Sequence, residues 1–115
     1  MRETDILIIS LPLTEKTRHI IDAEILALLG KNSYLINVSR GEVINEKDLI
    51  KALQKRIIKG AATDVLCKEP LSKRSPFFQL DNIIITPHIA GNINLFVEEI
   101  QKDFLNKAAK YSANV

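Results

Sequence analysis

The stretch YLINVSRGEVINEKDLIKALQKRI, residues 34–57, sets the architecture. It opens with an apolar run, Tyr34 to Val38, of the length and composition of a strand. Asn45 then stands where a helix N-cap belongs, with Asp48 at the third helical position and Ile44 and Leu49 spaced to form a hydrophobic staple. Leu49, Ile50, Leu53 and Ile57 recur on one face of the helix that follows. A strand that leads through a short polar loop into a helix is part of a βαβ unit, and the same order repeats on both sides.

Upstream, Ile6 to Leu11 reads as a strand buried on both faces and stopped by Pro12. Asp22 is placed to cap a helix that carries Ile25, Leu26, Leu28 and Leu29 on one stripe and ends at Gly30. Downstream, Gly60 to Val65 and Asn82 to Thr86 make strands three and four, the last closed by Pro87, with a polar loop between them. From Asn94 to Tyr111 the residues Phe96, Val97, Ile100, Phe104, Ala108 and Tyr111 share a helical face, with lysines opposite, so this amphipathic helix needs a surface to pack on. Strands separated by helices predict an α/β fold, a parallel sheet with flanking helices, whose ligands sit beyond the carboxyl ends of the strands.

The chain has 115 residues, 46% hydrophobic and 26% charged, which suits one domain. Its net charge is +2 and no basic run is long enough to track a nucleic-acid backbone, so no nucleic acid is expected as a partner. No apolar run approaches a membrane span and the first residues lack a signal core, so no membrane partner is expected. A lone cysteine, Cys67, forms no internal disulfide and fits a cytoplasmic protein. The glycines are Gly30, Gly41, Gly60 and Gly91, the closest pair eleven apart (41 − 30), which excludes both G-x-G-x-x-G and the P-loop.

Three predicted strand ends carry ionisable groups: Asn37-Val38-Ser39-Arg40-Gly41, Thr63-Asp64-Val65 running on to Glu69-Pro70, and Thr86-Pro87-His88-Ile89-Ala90-Gly91. A guanidinium can grip a carboxylate through two parallel hydrogen bonds, a histidine can move a proton near neutral pH, and a glutamate can orient the imidazole. Together they suit a small keto or hydroxy acid. Singly, each has a plain structural reading: Arg40 as a surface residue beside Gly41, His88 as a loop histidine after Pro87, Glu69 as a solvated charge. Their placement at successive strand ends favours function. His19 reads as structural or exposed, and Cys67 as a packed or idle thiol rather than a nucleophile.

These segments, with Leu11-Pro12-Leu13-Thr14 and Thr17, resemble the D-isomer-specific 2-hydroxyacid dehydrogenases, phosphoglycerate and glycerate dehydrogenases among them, from about Asp5 to Gly91. The resemblance implies that Arg40 binds the substrate carboxylate and keto oxygen, that His88 is the acid or base at the carbonyl, and that Glu69 pairs with it. It also implies NAD as cofactor, contacted by Leu11, Pro12, Val38, Ser39, Arg40, Asp64, His88, Ala90 and Gly91, Asp64 at the nicotinamide carboxamide. A buried capping role is the competing reading of Asp64.

On the same resemblance, residues 1–115 make a single partial NAD-binding domain: the second half of a Rossmann fold plus one strand of the first half, with no glycine-rich turn and no substrate domain. In the order 3-2-1-4-5-6, strand one would stand two vacant places from strand two. Either the chain is part of a longer polypeptide, or strand one closes directly onto strand two, or a second copy fills the gap, and a homo-oligomer such as a dimer is expected from the unpaired edges. The implied function is an oxidoreductase acting on the CH–OH group of a D-2-hydroxy acid with NAD, inactive as the isolated chain. The alternative is a noncatalytic remnant that serves as an oligomerisation or interaction module through the helix over 94–111.

Overall fold

The computed structural model of the chain describes residues 4–91 and 93–113. Four strands, β1 (Ile6–Ile9), β2 (Tyr34–Asn37), β3 (Gly60–Thr63) and β4 (Ile83–Ile85), form one parallel sheet in the order β1-β2-β3-β4. Strand one therefore lies directly beside strand two, from Ile6 against Tyr34 to Ile9 against Asn37, and the expected vacancy between them does not exist. Backbone bonds from Tyr34 N–H to the Asp5 carbonyl (2.9 Å) and from Val38 N–H to the Ile9 carbonyl (3.1 Å) extend the pairing ahead of β1 and past the end of β2. Direct closure pairs backbone groups that a gap would leave open, and it keeps consecutive elements neighbours.

Each ladder stops one or two residues short of the apolar run that predicts it. Side chains take over there: Asn37 Oδ1 accepts from Ser39 N–H (3.0 Å) and Thr63 Oγ1 from Val65 N–H (3.3 Å), turning the chain out of the sheet.

The helices are α1 (Ala23–Leu29), α2 (Glu46–Gln54) and α3 (Ile93–Ala113). Asp22 caps α1, its Oδ1 accepting from the N–H groups of Glu24 and Ile25 at 3.1 Å each. Asn45 Oδ1 accepts from Asp48 N–H at 3.4 Å, and Asp48 Oδ2 accepts from Ala23 N–H at 3.2 Å, so the start of α2 is tied to the start of α1. α2 ends at Gln54, before Ile57: the chain reverses at Arg56, whose φ is 55°, and Ile57 packs against the core from the turn.

Both α1 and α2 cover the same face of the sheet. Leu26, Leu29, Leu49 and Leu53 bury against Ile9, Leu35 and Ala61. The opposite face is open, with Ile6 54%, Ile8 61% and Ile84 68% exposed, so strand one is covered on one face only rather than both. On α3, Val97, Ile100 and Phe104 are exposed rather than packed, while the side chains of Phe96 and Tyr111 lie outside the described residues. Among the described residues no helix is long and apolar enough to cross a membrane.

Candidate functional site

A parallel sheet brings every strand's carboxyl end to one edge, and the three ionisable segments meet there. After β2, Asn37 is buried and shapes the loop. Its Oδ1 accepts from Ser39 N–H (3.0 Å) and Ser39 Oγ–H (2.8 Å), while its Nδ2 donates to the Arg40 carbonyl (3.0 Å). Ser39 is buried and Arg40 is exposed, its Nη1 donating to the Ser39 carbonyl at 2.7 Å. Arg40 makes no ion pair among the described residues, so its guanidinium keeps donors for a ligand.

Leu11, Pro12, Val38, Ser39 and Arg40 line one cavity of about 450 Å³ between the ends of β1 and β2. The turn at Pro12 is fixed by Thr17, whose Oγ1 donates to the Pro12 carbonyl (2.8 Å) and accepts from Thr14 N–H (2.7 Å).

After β3 and β4, Glu69 and His88 come together: Nδ1 of His88 is 2.8 Å from Glu69 Oε2. Glu69 Oε1 accepts from Leu66 N–H at 2.9 Å, which holds the carboxylate from the other side. Asp64, one loop residue past β3, accepts from Thr86 Oγ–H and from the N–H groups of Ile89 (2.9 Å) and Ala90 (2.8 Å). Asp64, Glu69 and His88 line a mostly apolar cavity of about 410 Å³ with Pro70, Leu71 and Phe78.

A smaller hollow of about 120 Å³, lined by Val38, Asp64 and Ala90 among others, lies between the two cavities. Arg40 and the Glu69–His88 pair thus stand in separate parts of one edge rather than in one pocket. Gly91 is exposed and lines none of the three. A larger cavity, about 550 Å³, lies at the other end of the strands around Tyr34, Gly60 and Asn82, where the sheet face is open.

Two residues besides Arg40, Glu69 and His88 take clear roles. Cys67 is exposed rather than packed; its N–H donates to Glu46 Oε1 at 2.6 Å, and partial desolvation, followed by the Glu46 carboxylate, pushes its thiol up to about 12, which makes it a poor nucleophile. His19, with φ of 54°, is exposed and donates its N–H to the Glu42 carbonyl at 2.8 Å, a structural position. Asn37 is the site-shaping residue that a search for ionisable groups passes over. Its signal was a polar Asx-turn former ending an apolar run.

Burial disfavours ionised Asp64, but the donors from Thr86, Ala90 and Ile89 outweigh it and hold its carboxyl below the ordinary range. Glu69 is lowered first by the Leu66 N–H and then by its bond to His88. A carboxyl depressed in the folded state stabilises the fold above its unfolded value, about 4, and gives this up as pH falls through the folded value. The thermal midpoint, followed by circular dichroism, is expected to drop below about pH 4, and less steeply in Glu69→Gln. Equal slopes would show that Glu69 contributes nothing to the acid limb.

Residues 1–90 match the family model described as D-isomer specific 2-hydroxyacid dehydrogenase, NAD binding domain. The chain is 46% identical over 91 residues to a glyoxylate/hydroxypyruvate reductase B of Pectobacterium carotovorum and 43% identical over 91 residues to a glyoxylate reductase of Thermofilum pendens. Each alignment covers 79% of this chain, and 28% and 27% of those proteins, so the chain spans less than a third of their length. A crystal structure of a D-isomer specific 2-hydroxyacid dehydrogenase from Xanthobacter autotrophicus, in complex with NADPH and MES, superposes with a TM-score of 0.72 at 44% identity, over 75% of this chain and 28% of that one.

Proposed function

Because the chain belongs to the D-isomer specific 2-hydroxyacid dehydrogenases, through their NAD-binding domain, we propose that it carries the carboxylate-binding and proton-transfer groups of a reductase for small 2-keto acids. The observation that carries this is the His88–Glu69 pair, Nδ1 to Oε2 at 2.8 Å, at the same sheet edge as an Arg40 with no acidic partner among the described residues. Arg40 holds the substrate carboxylate through its free guanidinium donors. His88, its Nδ1 against Glu69, presents Nε2 to the keto oxygen and delivers a proton there during reduction, or removes it in the oxidation of the alcohol. Glu69, pinned by Leu66 N–H, fixes the ring orientation.

Glyoxylate and hydroxypyruvate are the acids that the relatives' names support, ahead of a phosphorylated acid. Reduction of hydroxypyruvate yields glycerate, so glycerate oxidation is the same reaction reversed.

For the cofactor, the residues fit one end only. Leu11, Pro12, Val38 and Ser39 line a groove of mixed polar and apolar character, and Asp64 Oδ2 accepts from Ala90 N–H alone among the described residues, keeping a site for an amide donor. The glycine spacing leaves no pyrophosphate cradle in this sequence. When bound, a nicotinamide dinucleotide supplies or accepts the hydride. The related structure contains NADPH and the family model is named for NAD, so either phosphorylation state is compatible.

A second reading rests on the open sheet face and the exposed apolar residues of α3: a module that associates with another copy. One titration separates the two. NADH or NADPH with glyoxylate, added to nitrogen-15-labelled chain, is expected to move the amide signals of Val38, Ser39, Arg40, Asp64 and Ala90. No movement at millimolar ligand would overturn the dehydrogenase reading, and a dimer in sedimentation of the same sample would then leave the association reading standing.

A further inference from the structure

We propose that Asp64 is the positioning residue for His88: its carboxylate gathers three donors from the turn after β4 and so holds the imidazole against Glu69. The need for such a hold is visible in the backbone. His88 has φ of 57°, a left-handed conformation that costs any residue with a Cβ. Its own N–H donates to the Thr86 carbonyl at 3.1 Å, which closes a tight bend around Pro87 but fixes nothing beyond it.

What fixes the rest is one side chain on the neighbouring strand's loop. Asp64 Oδ1 accepts from Thr86 Oγ–H on the near side of the bend and from Ile89 N–H (2.9 Å) on the far side, while Oδ2 accepts from Ala90 N–H (2.8 Å). Two successive N–H groups converging on one carboxylate form an anion-binding concavity, here filled by the protein's own side chain. Asp64 is itself anchored, 6% exposed, with its N–H donating to the Asn37 carbonyl at 3.0 Å. Asp64 and Glu69 lie on the same loop, so a single segment grips His88 twice, by backbone through Asp64 and by ring through Glu69.

This deepens the proposed proton transfer and rests on it for what the imidazole does, but not for where it stands. It is also compatible with a nicotinamide contact, because three donors leave one acceptor position on Oδ2.

The test uses the whole chain with neither nucleotide nor acid, so it can fail or succeed independently of the dehydrogenase reading. There are two histidines, and imidazole nitrogen-15 spectra separate them once His88→Gln removes one set of signals. In the parent, neutral His88 is expected in the Nδ1–H tautomer, donating to Glu69. In Asp64→Asn, the amide group cannot accept at both positions, the turn is released, and His88 is expected to shift toward the Nε2–H tautomer that free histidine favours, with His19 unchanged. A folded Asp64→Asn whose His88 keeps the parent tautomer would overturn the proposal. Should Asp64→Asn not fold, Thr86→Val removes one donor at an exposed position and is expected to move the same signals in the same direction; no movement would overturn it equally.

Discussion

Replacing Gly41 by alanine is expected to remove a large share of the chain's stability. A Cβ built at Gly41 overlaps the Leu66 carbonyl carbon and the Cys67 amide nitrogen, and stands 2.5 Å from the Leu66 carbonyl oxygen. These are backbone atoms, so no rotamer change relieves the clash and one of two loops must move. The loop carrying Arg40 is pressed against the loop carrying Glu69, which Cys67 N–H also ties to α2 through Glu46. Overpacking a well-filled interior costs about 1–3 kcal/mol, occasionally more, and backbone overlap places this case at or above ~3 kcal/mol. Small domains hold about 5–15 kcal/mol in total, so the thermal midpoint is expected to fall by roughly 10 °C or more. Gly41→Ala melting within a few degrees of the parent would show that the two loops are not in hard contact. The same contact sets the spacing between the guanidinium and the Glu69–His88 pair, so, on the proposed function, any variant that survives is expected to bind a 2-keto acid less tightly.

The second large effect is expected at Asn37. Asn37→Ala deletes an acceptor shared by Ser39 N–H and Oγ–H and a donor to the Arg40 carbonyl. Asn37 is 1% exposed and Ser39 7%, so water replaces these bonds poorly. Each buried polar group left without a partner costs about 1–3 kcal/mol, and partial relaxation of the loop puts the total at roughly 2–4 kcal/mol. Urea unfolding reads this as a lower midpoint with an unchanged slope. Arg40 loses the loop that aims it, so the 2-keto acid affinity expected from the proposed function should fall along with stability. Asn37→Ala at parental stability would show that the loop is set by its backbone alone.

Much of the site was legible because its chemistry lies in segments: Arg40 after one apolar run, Glu69 beyond the next, His88 after the last. A parallel sheet then delivers them to one edge without further instruction. What was not legible is adjacency. Numbering strands against a six-strand order placed Ile6–Ile9 away from Tyr34–Asn37, whereas pairing is decided by which backbone edge is within reach, and the next strand in the chain was nearest. Burial was overread for a related reason. The isoleucines at 6 and 8 are apolar enough for a core, but hydrophobicity records what a surface can bury, not what covers it. Asp64 escaped assignment to His88 because its three donors lie more than twenty residues away, on a turn whose shape no local pattern encodes.

The strand order β1-β2-β3-β4 has a kinetic meaning as well. Paired residues are separated by 34 − 6 = 28, 60 − 34 = 26 and 83 − 61 = 22 positions, so the sheet is assembled from three chain closures of nearly equal length. Loop-closure entropy varies slowly with length, about 0.6 kcal/mol per doubling, and the three steps therefore cost nearly the same. No strand waits for a distant segment to arrive: each can add to the edge its predecessor has just left, in the order the chain is synthesised.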